Sequence, residues 1–148
     1  MKDRYKNVYF NIAKEIASLS YAKRLQVGAI AVKDNKIISA GFNGTPPGDP
    51  NICEYVISSE TDDFSLSRLA TKPEVIHAEM NMLHKLAKSH ESGEGAEVFC
   101  THSPCLECAK GILMSGIIAF YYEFDYRSDE GLEFLRKRFV HVEKRVGA

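Results

Sequence analysis

The chain has 148 residues and a formal net charge of −1, with 26% charged and 45% hydrophobic residues. That length suffices for one domain with a real core, and the near-neutral charge argues against a nonspecific nucleic-acid binder, which presents a basic surface. The opening M-K-D-R-Y-K is too charged for a signal peptide, and the longest apolar run, Gly111 to Tyr122, is too short to span a bilayer. The expectation is a cytoplasmic protein with no membrane partner, whose four cysteines stay reduced and are better suited to metal than to disulfides.

Asp3 to Leu19 reads as a helix, with Asp3 as N-cap and Val8, Ile12, Ile16 and Leu19 as its apolar stripe. Gln26 to Lys33 and Lys36 to Phe42 are strand-like, and Asp34-Asn35 between them is a two-residue hairpin turn. The first of these strands is almost continuously apolar, as a strand covered on both faces would be. Asn43 to Pro50, N-G-T-P-P-G-D-P, is a run of turn residues. Asn51 to Val75 reads as a long loop with a short helix over Phe64 to Ala70, limited by Pro73.

Ile76 to His90 follows as a helix with Ile76, Met80, Leu83 and Ala87 on one face. Glu97 to Thr101 is a strand. Ser103 then suits an N-cap and Pro104 a first helical position, opening a helix that ends at Gly116. Ile117 to Tyr122 is a strand, Asp129 to Arg138 a helix with Leu132 and Leu135 inward, and Phe139 to Glu143 a last strand. Strand–helix–strand–helix–strand implies parallel strands joined by right-handed crossovers. With the N-terminal hairpin this gives a mixed five-stranded sheet covered by helices, an α/β fold of three layers, in one domain over residues 1–148.

Two short stretches carry the chemistry. I-H-A-E-M supplies His77 and Glu79, and P-C-L-E-C supplies Cys105 and Cys108. Zinc favours nitrogen and sulfur ligands in a tetrahedron, and a catalytic zinc keeps one position for water. His77, Cys105 and Cys108 make three ligands, which leaves Glu79 free to move protons. A structural zinc would want a fourth protein ligand, and none is spaced for it. Both segments begin helices, where partial positive charge favours thiolate. Alone, Glu79 would read equally well as a first-turn carboxylate facing the helix dipole. Cys100 reads as a buried apolar residue, and His84, His90, His102 and His141 as packing or surface residues.

H-x-E…P-C-x-x-C is the signature of the zinc deaminases that act on nucleobases. Beyond it, V-G-A-I-A-V, G-F-N-G-T-P-P-G, V-I-H-A-E-M-N and T-H-S-P-C-L-E-C-A-K together resemble the deoxycytidylate (dCMP) deaminase family, from about Ser20 to Tyr126. The resemblance implies a cytidine-deaminase-like fold and hydrolysis of dCMP to dUMP and ammonia, which supplies dUMP for thymidylate synthesis. It implies one catalytic Zn2+ on His77, Cys105 and Cys108, with Glu79 as proton shuttle. Asn43 falls on the sugar-recognising position and Ser103 on a base contact. Arg24 and Arg127 are the candidates for the phosphate, and Tyr126 completes the substrate-binding set. Gly44, with Asn43, falls on the loop that contacts a regulatory nucleotide.

Many relatives are homohexamers, activated by dCTP with Mg2+ and inhibited by dTTP, so a homo-oligomer with these effectors is expected. Some carry a second zinc in the long loop. Here that loop offers only Cys53 and no histidine before His77, so one zinc is expected. The rival readings are a deaminase of another cytosine or guanine compound, and a noncatalytic zinc-stabilised binding module, which has no use for Glu79.

Overall fold

The computed structural model describes residues 1–58 and 68–147. The chain builds one five-stranded sheet in the order β2-β1-β5-β6-β7 and a separate two-stranded sheet, β3-β4. The elements are α1 (Asp3–Ala17), β1 (Gly28–Lys33), β2 (Lys36–Phe42), β3 (Glu54–Ser58), β4 (Arg68–Thr71), α2 (Ala78–Ala87), β5 (Glu97–His102), α3 (Leu106–Met114), β6 (Ala119–Phe124), α4 (Glu130–Lys137) and β7 (His141–Lys144). β1 is antiparallel to both β2 and β5, while β5, β6 and β7 run parallel, as the alternation of elements requires. Asp34 and Asn35 close the β1–β2 hairpin with φ of 52° and 57°, the left-handed pair that a type I′ turn demands.

The period-2 alternation of the strands divides the core in two. Ile30, Val32, Phe99 and Tyr121 face α1, where Tyr9 and Phe10 meet them. Ala29, Ala31, Val98, Cys100 and Phe120 face the opposite layer, with Met82 and Leu86 of α2, Ile112 of α3 and Leu132 and Leu135 of α4. The result is a three-layer α/β/α arrangement around a mixed sheet, as expected.

Several local expectations are corrected. The inward face of α1 is Tyr9, Phe10, Ala13 and Ala17, whereas Val8 and Leu19 are exposed. The rings decide this: Tyr9 and Phe10 pack on Phe99 with centroids 5.3 and 5.2 Å apart, while Ile12 and Ile16 of the expected stripe pack, partly buried, against the same cluster. The N-cap is Lys2, and Asp3 is the first helical residue. α2 buries Ala78, Glu79, Met82, Leu83 and Leu86; of the expected face, Leu83 is buried and Met80 packs partly buried against the core, whereas Ala87 is exposed. A carboxylate turned inward breaks the apolar periodicity there.

Cys105, not Ser103, is the N-cap of α3, accepting the Cys108 amide on its sulfur. Ser103 is unavailable because its hydroxyl accepts the Tyr126 amide at 2.8 Å. The strand expected to begin at Ile117 is Ala119–Phe124, and the last strand is His141–Lys144. Phe139, expected in that strand, lies in a turn with φ of 65°. Of the helix expected over Phe64 to Ala70, Arg68 to Ala70 are β-strand; residues 64–67 lie outside the described residues. The small sheet has Glu54 opposite Thr71 and Tyr55 opposite Ala70, a pairing that the mixed composition of this stretch concealed.

Two close approaches fix the site-bearing helices. A methyl group on Gly41 of β2 would meet the Met82 amide nitrogen of α2 at 2.5 Å, and one on Gly131 of α4 would meet the Cys105 carbonyl oxygen at 2.9 Å. Only glycine lets these backbones come so near. Among the described residues, no helix is long and apolar enough to cross a membrane.

Candidate active site

The candidate site lies where β5 and β6 end, at the carboxyl edge of the parallel strands, the usual ligand edge of open α/β sheets. His77 is the N-cap of α2 and Cys105 the N-cap of α3, so both helix starts converge on one point. The loop after β2 is tied to that point by a two-way backbone bridge between Gly44 and Ile76, at 3.1 and 2.8 Å. Asn81 of α2 reinforces it by donating to the Phe42 carbonyl at 2.7 Å.

The ligand atoms of His77, Cys105 and Cys108 all lie within 4.8 Å of one another. His77 Nδ1 is 3.5 Å from the Cys105 sulfur and 3.4 Å from the Cys108 sulfur. With zinc–nitrogen and zinc–sulfur bonds of about 2.1 and 2.3 Å, the edge of a tetrahedron joining those atoms is about 3.6 Å. Both nitrogen–sulfur edges are thus close to those of a tetrahedral site, and the donor set is one zinc prefers. Among the described residues this is the sole such cluster of histidine, cysteine and carboxylate groups.

The electrostatics agree with that use. Hydrogen bonds from Cys108 and His77 hold the Cys105 thiol down to about 3. Cys108 is pushed the opposite way, first by the same sulfur–sulfur hydrogen bond and then by burial. Without a cation the pair shares a proton, with the thiolate on Cys105. A bound divalent ion reverses the direction at Cys108, because a coordinating thiol is deprotonated outright. Glu79 is 5% exposed, and burial raises its carboxyl to about 7, against the pull of a backbone amide and of His77. A carboxyl poised near neutrality is suited to taking and giving protons.

These groups open into a cavity at the protein surface, about 640 Å³ when the open space at its mouth is counted. His77, Glu79, Cys105, Asn43, Ser103, Arg24 and Tyr126 line it. The Asn43 amide faces the cavity but is braced on backbone at both ends. Its oxygen accepts the Val27 amide at 2.9 Å and its nitrogen donates to the Leu25 carbonyl at 2.8 Å. Arg24 is exposed at the cavity wall, its guanidinium donating to the Thr71 hydroxyl at 2.8 Å. Ser103 is buried and holds Tyr126 in place.

Two predicted residues lie elsewhere. Arg127 is outside the cavity lining, its guanidinium over the Tyr126 ring at 5.1 Å. Gly44 lines a second, neighbouring depression with Tyr21, Phe42, Pro46 and Pro47, and Cys53 borders both cavities.

Sequence reasoning passed over Glu54, Thr71 and His102, all in the cavity wall. Nothing in the stretch around Glu54 and Thr71 signals the hairpin that brings them there. For His102 a signal existed: it ends a strand that feeds directly into the metal-binding turn. Its Nδ1 lies 2.8 Å from the Thr101 hydroxyl, and burial lowers its pKa, which keeps the ring neutral.

A mixed sheet whose ligand edge carries a His–Cys–Cys cluster beside a buried acid defines a zinc-binding α/β protein with a catalytic-type centre. The chain matches the family model of the cytidine and deoxycytidylate deaminase zinc-binding region over residues 4–124, and it belongs to that family. It is 33% identical over 123 residues to ComE operon protein 2 of Bacillus subtilis, covering 82% of this chain and 61% of that protein. It is 35% identical over 128 residues to the deoxycytidylate deaminase of Enterobacteria phage T4, covering 66% of each. The chain thus spans a little under two thirds of the length of these relatives. Over nearly its whole length it superimposes on a crystal structure of dCMP deaminase from the cyanophage S-TIM5 in complex with dCMP and dUMP, with a TM-score of 0.87, 42% identity and coverage of 98% of this chain and 99% of that one.

Proposed function

We propose that this chain is a zinc-dependent dCMP deaminase, a single catalytic domain that hydrolyses dCMP to dUMP and ammonia. The observation that carries the reading is the His77–Cys105–Cys108 cluster with Glu79 buried beside it, both opening into one cavity. The likeness to the cyanophage enzyme solved with dCMP and dUMP supports the choice of nucleotide.

His77, Cys105 and Cys108 would hold the zinc, which when bound lowers the pKa of a coordinated water toward neutrality. Glu79 takes one proton from the attacking water and delivers it to ring nitrogen N3, then takes the second from the hydroxyl now on C4 and gives it to the departing 4-amino group. Water oxygen becomes the 4-carbonyl, the C4–N bond breaks, and ammonia leaves. Ser103 and Tyr126 form the wall beside the ring, and Asn43 fixes the loop that meets the sugar. Arg24 is the proposed phosphate ligand, with Arg127 next in line.

Ammonia release from dCMP, CMP, deoxycytidine and guanine, measured side by side, tests the substrate. The highest kcat/KM is expected with dCMP. A site that pairs with a phosphate leaves its cation unpaired with the bare nucleoside, so Arg24→Ala should raise KM for dCMP well above its effect on deoxycytidine. Guanine as the preferred substrate would replace this reading with its rival, and equal effects of Arg24→Ala on both cytosine substrates would remove Arg24 from the phosphate site.

The proposal extends to regulation: a cytoplasmic homohexamer supplying dUMP for thymidylate synthesis, activated by dCTP with Mg2+ and inhibited by dTTP. Asn43 lines the catalytic cavity and its neighbour Gly44 lines the adjoining depression, an arrangement that supports coupling between the two. Coupling is typically about 1–3 kcal/mol and must be reciprocal. A sigmoidal dCMP response that becomes hyperbolic with dCTP, in a hexamer by sedimentation, is the expected result. Hyperbolic kinetics throughout with no dCTP binding by calorimetry would leave an unregulated enzyme.

A further inference from the structure

The cavity wall contains a carboxylate that the chemistry above leaves unused. Glu54 is only 9% exposed and lies at the start of β3, opposite Thr71. One of its oxygens, Oε2, accepts two backbone amides, from Lys23 at 2.8 Å and Arg24 at 2.9 Å. Those bonds fix the side chain. The other oxygen, Oε1, has no hydrogen-bond partner among the described residues, yet it is not among the side-chain atoms sealed from solvent without one. Glu54 is nearly covered as a whole and lines the catalytic cavity, which leaves Oε1 as its oxygen free to meet a ligand there.

A fixed carboxylate oxygen in a nucleotide cavity accepts hydrogen bonds and repels phosphate. At neutral pH dCMP has two kinds of donor to offer it, the 4-amino group and the 3′-hydroxyl. The amino group must lie at the reacting carbon, beside Glu79 and the metal cluster, so the 3′-hydroxyl remains. Asn43 is less suited to that hydroxyl, because each end of its amide is already bonded to the backbone of residues 25 and 27. The exposed Arg24 guanidinium lies on the same wall, tied to Thr71, and would draw the phosphate away from the carboxylate.

Building on the dCMP reading, we propose that Glu54 is a specificity-determining residue that accepts the 3′-hydroxyl of the deoxyribose through Oε1. It selects nucleotides that carry a free hydroxyl there and sets the direction in which the nucleotide enters, with base toward Glu79 and phosphate toward Arg24.

The test compares dCMP with 2′,3′-dideoxycytidine 5′-monophosphate, both as substrates and as ligands of the zinc-loaded protein by calorimetry. A hydrogen bond to a charged group implies that the wild-type protein favours dCMP by roughly 10-fold to 100-fold. In Glu54→Gln the amide oxygen can still receive the Lys23 and Arg24 amides while the charged acceptor is gone, and the preference is expected to fall to within a few-fold of unity. A residue that merely braced the Lys23–Arg24 backbone would weaken both nucleotides equally and leave the ratio intact, and that result would overturn the proposal. So would a wild-type protein that binds the two nucleotides equally, a result that does not depend on the variant folding. If dCMP is bound in preference to the dideoxy nucleotide but neither is deaminated, the Glu54 contact stands and the deaminase reading fails.

Discussion

Glu79→Gln is expected to keep zinc and fold and to lose turnover. The substitution preserves shape, and burial already favours the neutral form of this side chain, so a neutral amide in its place costs the fold little. What it removes is the ability to carry protons. Glu79 is assigned the transfers from water to N3 and to the departing amine, and among the described residues no other carboxyl or imidazole is as buried. A single acid–base role contributes about 10²–10⁴-fold, and a group that serves successive steps should reach or exceed the upper end of that range. Zinc content, melting temperature and kcat measured on one preparation separate the effects: the first two should be unchanged while kcat collapses. Near-normal turnover in the Gln variant would remove Glu79 from the chemistry.

Cys105→Ala should instead lose the metal. The variant keeps two ligands, His77 and Cys108, too few for the closed side of a zinc site. It also loses the sulfur that caps α3, where the Cys108 amide lies 3.5 Å from it; loss of a cap typically costs about 1 kcal/mol. Because ligand bonds to a structured site contribute to folding, melting temperature and zinc content should fall together. The loss of zinc affinity should exceed the roughly 10–100-fold that follows removal of an outer partner of a ligand. Full zinc occupancy in this variant would overturn the ligand assignment.

The architecture was legible where periodicity and turn chemistry pointed the same way. Asp34-Asn35 announced the hairpin, and the near-continuous apolar run of β1 announced a strand covered on both faces. The alternation after Glu97 announced the parallel strands. Helix faces were harder. In α1 the apolar stripe and the aromatic pair Tyr9 and Phe10 lie on neighbouring faces, and ring packing against Phe99 decided between them. In α2 the buried Glu79 cannot be told from a surface carboxylate by periodicity, because its burial serves the site.

The grouping of His77, Cys105 and Cys108 was readable from spacing, since helix N-termini impose it. The far wall of the cavity was not. Glu54 and Thr71 arrive through a small hairpin whose strands are short and mixed in composition, and no local pattern marks either residue as facing a ligand. Ser103 was expected to cap a helix and instead secures Tyr126, a choice between two hydrogen-bond partners that only tertiary structure settles.

The most direct test of the central claim is a time course of the zinc-loaded protein with dCMP, following nucleotide and ammonia together, with Glu79→Gln run in parallel. The expected result is dCMP converted to dUMP with one ammonia released per dUMP formed, and a Gln variant that binds the nucleotide but scarcely turns it over. A zinc-replete, folded wild-type protein that binds dCMP and releases neither dUMP nor ammonia would contradict the account.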